Sequence, residues 1–262
     1  MTMKGVFICL SVLVTFAVAR PNYNGERHMT LGDDITANKR VFVVGDVHGC
    51  LDELRLLLER ADVLNRDRNT IKSDAIVVFA GDITNRGPRN LDTLKFVRKS
   101  GAYQVRGNHE DNLNNNPNGY SWFRHASGKD RRYLQSLPYT ITISRFNTVV
   151  VHAGLLPGKP IHEQSRTVMT RMRNIAFDNF GNPLPIERPG RGREWARYWN
   201  GPQDVVFGHD AARNLQIRSK SIGLDTNCWR GGRLTGVFLP ISARNIVSKG
   251  CGNYCPPDGS NC

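Results

Sequence analysis

Residues 41–61 read Val-Phe-Val-Val-Gly-Asp-Val-His-Gly-Cys-Leu-Asp-Glu-Leu-Arg-Leu-Leu-Leu-Glu-Arg-Ala. The run 41–45 is apolar without alternation, which predicts a strand covered on both faces. Leucines at helical spacing over 51–61 then predict a helix packed back onto it. Between the two, a short Gly-bearing turn carries a carboxylate and an imidazole. The same rhythm follows downstream: an apolar run at 75–80, an amphipathic stretch at 91–97, and an apolar run at 103–105. Strand–helix–strand–helix–strand is α/β and implies a parallel sheet with right-handed crossovers. Later apolar segments at 139–143, 149–151, 205–207, 222–224 and 234–239 predict a second, more mixed sheet packed on the first.

Five motifs fall in order at the ends of these runs: Gly-Asp-Val-His-Gly (45–49), Gly-Asp-Ile-Thr-Asn-Arg-Gly (81–87), Gly-Asn-His-Glu (107–110), Val-His-Ala-Gly (151–154) and Gly-His-Asp (208–210). Ligands of open α/β sheets gather beyond the carboxyl ends of strands, where all five sit. Asp46 and His48 can grip one metal from the same side. The two oxygens of Asp82 can bridge two ions, and Asn108, His152 and His209 complete a second mixed site. Imidazole with carboxylate suits Mn, Fe, Zn or Co better than Ca or Mg, so the expected cofactor is two divalent metal ions, Mn2+ first. Two such ions about 3.5–4 Å apart clamp phosphoryl oxygens around a hydroxide for in-line attack. His109 is then free to protonate the leaving oxygen, while Arg86 and Arg106, on the same loops, hold substrate phosphate. For Arg106, pairing with a carboxylate is an equal alternative. His28, His125 and His162 stand outside the set and read as surface or loop residues.

With 39% hydrophobic and 23% charged residues the chain is globular in composition. Lys4, the apolar stretch 6–18 and Ala17-Val18-Ala19 predict a signal peptide over 1–19, too short to span a membrane comfortably, which takes about 20 apolar residues. A secreted or secretory-pathway protein follows, with a retained anchor or a buried N-terminal helix as alternatives. Loss of this leader lowers the net charge of +13 by one. Residues 20–39 read as a polar linker and 40–243 as the folded domain.

Within that domain the segment of about 158–203 is rich in Arg, Pro and Gly. It reads as a mostly helical insertion over the site, with Trp195 and Trp199 on one helix face anchoring it to the core. Its arginines (166, 171, 173, 188, 191, 193 and 197) match polyanions such as phosphoesters, polyphosphate or nucleic acid, or else simply solvate a basic surface. Of six cysteines, Cys9 leaves with the leader. The odd set Cys50, Cys228, Cys251, Cys255 and Cys262 requires at least one free or intermolecular thiol, and 244–262 reads as a disulfide-stapled tail.

The five motifs resemble those of the calcineurin-like metallophosphoesterases, within them the phosphoprotein-phosphatase superfamily, and most closely its diadenosine-tetraphosphatase-like (ApaH-like) branch. The branch is indicated by Arg86-Gly87-Pro88 after an Asn, by Val-His-Ala-Gly-Leu-Leu-Pro-Gly (151–158) with Gln164 and Met172-Arg173, and by the stretches 201–210, 223–228 and 231–235. The resemblance covers about residues 40–240. It implies a four-layer α-β-β-α sandwich, Asp46, His48, Asp82, Asn108, His152 and His209 as metal ligands, His109 as general acid, and Arg86 and Arg106 as phosphate binders. It also implies hydrolysis of phosphoanhydride or phosphomonoester bonds, in dinucleoside polyphosphates, capped RNA or inorganic polyphosphate. The alternatives are a Ser/Thr protein phosphatase and a non-catalytic secreted polyanion-binding scaffold. Two residues depart from the wider pattern. Asn85 stands where protein phosphatases place an Asp that charges the catalytic histidine, which argues against a phosphoserine/threonine substrate, and Asn227 stands where the branch usually has Gly.

Overall fold

A computed structural model describes Pro21, Tyr23 and residues 25–256; the leader expected over 1–19 lies outside them. Two sheets face each other. The first runs in the order Ile246–Gly250, Arg233–Phe238, Arg40–Val44, Ala75–Phe79, Tyr103–Gln104. Its last three strands are parallel, as the crossover helices Leu51–Arg60 and Asn90–Ser100 require, and Arg233–Phe238 runs antiparallel beside Arg40–Val44. The second runs His28–Leu31, Thr140–Ile143, Thr148–Val151, Asp204–Phe207, Ser221–Gly223, Gln216–Ile217, with both parallel and antiparallel pairs.

Side chains alternate across each strand, and the alternation defines the layers. Val41, Val43, Ile76 and Val78 meet Ile141, Ile143, Val150, Val206 and Ile222 between the sheets. Phe42, Val44, Val77 and Phe79 point the other way, against Leu54, Leu57 and Leu58 of the first helix and Leu94 and Val97 of the second. Burial on both faces is why 41–45 shows no polar alternation. The outer face of the second sheet (Val149, Val151, Val205 and Phe207) is covered by Met169, Met172, Ile175, Trp195 and Trp199. The layers are therefore helices, sheet, sheet, and the segment that follows His152. Among the described residues no helix is long and apolar enough to cross a membrane.

Three expectations change. The 158–203 insert is not mostly helical: after one short helix, Arg166–Arg171, it forms an antiparallel three-stranded sheet of Asn174–Phe177, Pro183–Ile186 and Arg193–Glu194. Pro183 and Pro185 lie on an edge strand of that sheet, where a missing N–H is tolerated, so their presence concealed a strand. Trp195 and Trp199 anchor the insert through edge-to-face rings 6.2 Å apart, but only Trp195 lies in a helical turn. The 20–39 linker contains an edge strand, His28–Leu31, whose one fully buried apolar residue, Leu31, is too little for a periodic signal. The folded domain also continues past 243, because Ile246–Gly250 completes the first sheet and Cys251 is bonded to Cys228. Cys255 is disulfide-bonded as well, and Cys50 is the free, buried thiol among the described residues.

Candidate metal centre

Every motif lies just past a strand's carboxyl end: Asp46 and His48 after Arg40–Val44, Asp82 after Ala75–Phe79, Asn108 and His109 after Tyr103–Gln104, His152 after Thr148–Val151, His209 after Asp204–Phe207. The loops are tied to one another by backbone bonds. The Asp82 carbonyl accepts from Val47 N (3.2 Å) and His48 N (2.9 Å), and Gly49 N donates to Ile83 O (2.8 Å). Gly107 and Gly208 lack side chains because a Cβ at either would collide with the carboxylate of Asp82 or Asp46. His48, Asp82, Asn85, Arg86 and His209 all have positive φ, between 48° and 85°. Left-handed conformations in non-glycine residues cost about 1–3 kcal/mol each and concentrate where function over-determines the backbone.

The side chains converge on Asp82. Its Oδ2 lies 3.3 Å from His152 Nε2, 3.9 Å from His109 Nε2 and 4.0 Å from His48 Nε2, and His48 Nε2 is 3.8 Å from Asp46 Oδ2. Ligand atoms of His48, Asp82 and His109 group within 4.8 Å of one another, as do those of Asp82, His152 and His209. Asp46 accepts from His209 N at 3.1 Å, and Asn108 Oδ1 is 3.0 Å from His152 Nε2. All six residues named as ligands are thus brought together, around the carboxylate expected to be shared.

Backbone carbonyls set the imidazole tautomers. His48 Nδ1 donates to Thr84 O (3.2 Å), His152 Nδ1 to Ala80 O (2.8 Å) and His209 Nε2 to Arg171 O (3.1 Å). A donor fixed on one ring nitrogen leaves a lone pair on the other. The lone pair of His152 Nε2 therefore faces the oxygens of Asn108 and Asp82, acceptors turned toward acceptors, which is the electrostatics of a cation site. Burial would lower His152, but the Asp82 carboxylate and the Ala80 carbonyl outweigh it and hold this imidazole above its ordinary value, the pull of a site that draws positive charge to Asp82. Burial, with Asp225 and Asp82 beside it, pushes the Asp46 carboxyl well up. Burial would raise Asp82 too, but the imidazoles of His152, His109 and His48 outweigh it and hold it well below the usual range. Burial and His109 push His48 down to about 3, and burial with His152 and Arg173 holds His209 low, so both stay neutral as metal ligands must. The donor set fits two divalent cations.

The two arginines expected to bind phosphate part company. Arg86 lines the cleft, a cavity of about 310 Å³ over these ligands, with its guanidinium 5.2 Å above the Trp229 ring. Arg106 does not reach it. Its guanidinium donates to Leu134 O (3.2 Å) and Gln135 O (2.6 Å), lies over the Tyr139 ring and is 3.7 Å from Asp111. With both terminal nitrogens engaged on that side, Arg106 supports the fold and not the cleft. Several arginines of the insert are likewise engaged internally: Arg166 on Asp111 (2.8 Å), Arg171 on Asn112 (2.7 Å), Arg193 on Tyr198 (2.9 Å) and Arg197 on Glu194 (2.9 Å).

Of the insert's arginines Arg173 faces the cleft, and so do three residues not anticipated as functional: Asp225, Trp229 and Arg230. Arg173 donates to His209 O (3.2 Å), and Arg230 stacks over Trp229 at 4.8 Å. Burial pushes the Asp225 carboxyl up to about 6. Their sequence context held only a faint signal, the Met172-Arg173 and 223–235 stretches. Asn227 occupies a φ of 60°, the left-handed region that glycine fills without cost and asparagine tolerates best among other residues, so this departure conserves the backbone.

The model of the calcineurin-like phosphoesterase family matches residues 39–236. The chain belongs to that family. This phosphoesterase is 31% identical over 223 residues to the asymmetrical bis(5'-nucleosyl)-tetraphosphatase PrpE of Bacillus velezensis, covering 76% of this chain and 88% of the relative. It is 28% identical over 225 residues to the protein of that name from Bacillus subtilis, covering 76% and 90%. Among solved structures it superimposes on one assigned as a diadenosine tetraphosphatase with a TM-score of 0.77, at 33% identity, over 87% of this chain and 99% of that one. A protein serine/threonine phosphatase from Saccharomyces cerevisiae shares the fold at a TM-score of 0.56 and 16% identity, over 89% and 86% of the two chains. The phosphoesterase is thus an ApaH-like hydrolase, of a family that works through a dinuclear divalent metal centre.

Proposed function

We propose that this phosphoesterase hydrolyses phosphoanhydride bonds of nucleotide polyphosphates, dinucleoside polyphosphates foremost, with Mn2+ the preferred pair of ions. The convergence of five ligand side chains around a sixth, Asp82, carries the reading, with His109 and Arg86 at the rim of the same cleft. Asp46, His48 and Asp82 would hold one ion, and Asp82, Asn108, His152 and His209 the other. Such a pair, when bound, polarises phosphoryl oxygens and makes a water nucleophilic near neutral pH. The chain's own residues do the rest. Arg86 binds the phosphate chain, and Arg173 and Arg230 extend the positive charge along the cleft. His109 serves the leaving oxygen on the side opposite attack. The relatives named as bis(5'-nucleosyl)-tetraphosphatases support the nucleotide substrate, and Asn85 weighs against a serine/threonine phosphatase. Secretion rests on the leader reading of residues 1–19 and is checked by N-terminal sequencing of the mature protein.

A Mn2+-reconstituted panel of dinucleoside polyphosphates, inorganic polyphosphate, capped RNA, 4-nitrophenyl phosphate and phosphopeptides tests the proposal. Turnover is expected to be fastest on the dinucleoside polyphosphates. His109→Asn should lose about 10²–10⁴-fold and Asp82→Asn at least as much. Phosphopeptides outrunning every polyphosphate would overturn the substrate, and tight polyphosphate binding with no turnover at any metal would leave only the scaffold reading.

A further inference from the structure

The Asn85 amide sits between two nitrogens. Its Oδ1 accepts from the indole Nε1 of Trp122 at 2.9 Å, and its Nδ2 lies 3.2 Å from His109 Nδ1. An indole nitrogen can only donate, so Trp122 decides which end of the amide faces it. The NH2 group must then face His109 and donate to Nδ1. That nitrogen carries the lone pair, and the ring proton resides on Nε2, the nitrogen that looks toward Asp82 and the metal ligands. A flipped amide would put donor against donor at Trp122 and would accept from Nδ1–H, which in the neutral ring leaves Nε2 without a proton. The indole is itself held: Trp122 packs edge-on to Phe123 at 5.4 Å, and Arg131 stacks on Phe123 while donating to its carbonyl at 2.8 Å.

We infer that Trp122 is a positioning residue which, through Asn85, presents His109 to the cleft as an Nε2–H donor and so fits the site to leaving groups that depart as anions, phosphates rather than alkoxides. The inference rests on the hydrolytic reading of the cleft above. During hydrolysis the P–O bond breaks with both electrons going to the leaving oxygen, water supplies the new oxygen on phosphorus, and its surplus proton goes to solvent. A phosphate leaving group needs no proton from the protein, and a fixed hydrogen bond from Nε2–H is sufficient for it. An alkoxide needs full proton transfer from a ring protonated on both nitrogens, and an amide N–H aimed at Nδ1 leaves no place for the second proton. A carboxylate at position 85 would instead accept from Nδ1–H and favour the imidazolium.

Two measurements test this. In the full chain loaded with diamagnetic Zn2+ and carrying ¹⁵N-histidine, long-range ¹H–¹⁵N correlation should show His109 protonated on Nε2 and bare on Nδ1; the opposite tautomer overturns the inference. Kinetically, kcat is compared on 4-nitrophenyl phosphate and on a phosphoserine peptide for the wild type, Trp122→Phe and Asn85→Asp. Both variants should raise the peptide-to-aryl ratio of kcat by roughly tenfold or more. Parallel losses on both substrates would make Trp122 merely structural. If the wild type turns over no phosphate compound at all, the proposed function falls, while the tautomer measurement still decides the role of Trp122.

Discussion

Glu110 is not among the ligands, yet it holds the ligand loops in register. Its carboxylate accepts N–H groups from Asp82 (2.8 Å), Ile83 (3.1 Å) and Gly107 (2.9 Å), joining the second motif to the third. Burial, reinforced by Asp82, pushes this carboxyl up to about 7. In Glu110→Gln an amide NH2 replaces one acceptor and confronts a backbone donor. Stability should fall by about 1–3 kcal/mol in urea unfolding, with activity lowered in step. An unchanged unfolding midpoint would show that water satisfies the three amides. At this scale the ligands were legible because motif and strand end coincide within a few residues. Of the two readings of Arg106 the structure favours the carboxylate beside it, Asp111, over substrate phosphate, because chain proximity to Gly107 says nothing of side-chain direction, which the carbonyls of Leu134 and Gln135 determine from far along the sequence. Trp122 was illegible for the same reason, 37 residues from the amide it orients.

Among the elements, the helix Gly128–Ser136 shows the strongest local control. Ser127 caps it, accepting from Asp130 N, and Asp130 reaches back to Ser127 N at 2.9 Å while pairing with Arg98 at 2.8 Å. Burial would raise the Asp130 carboxyl, but the Ser127 hydroxyl and amide and the Arg98 guanidinium outweigh it and hold it below the ordinary range. A carboxyl depressed in the folded state contributes stability that is complete above its unfolded value, near pH 4, and disappears as pH falls through the folded value. Asp130→Ala should therefore cost about 1–2 kcal/mol at pH 7 and progressively less below pH 4. A pH-independent difference would place the effect in packing instead. The capping box was readable from sequence in principle. The insert's sheet was not, because Gly and Pro there mark edges and turns without saying which element they bound.

At the scale of the molecule, the ligands come from both sheets: Asp46, His48, Asp82 and Asn108 from the loops of the first, His152 and His209 from those of the second. Divalent metal should accordingly act as a cross-brace. At free metal a thousandfold above Kd it should stabilise the fold by about 4 kcal/mol, and chelation should lower Tm and speed amide exchange at both sheets' carboxyl ends. Equal Tm values with and without chelator would rule the brace out. The disulfide Cys228–Cys251, closing a separation of 23 residues, ties the strand Ile246–Gly250 to the loop that carries Trp229 and Arg230. Cys251→Ser should cost about 3 kcal/mol in thermal unfolding. Cys50, fully buried and with its thiol pushed up to about 12, should stay unalkylated until the chain unfolds.

The pairing of Arg233–Phe238 with Arg40–Val44 has a consequence for how the protein is made. The strand that bears the first ligands receives one of its two neighbours from a strand made much later, Arg233–Phe238, and the last ligand, His209, also follows far behind the first. A nascent chain that has exposed its first three motifs thus holds four of the six ligands on an unfinished sheet. Hydrolytic competence therefore waits until residues through Phe238 have emerged from the ribosome.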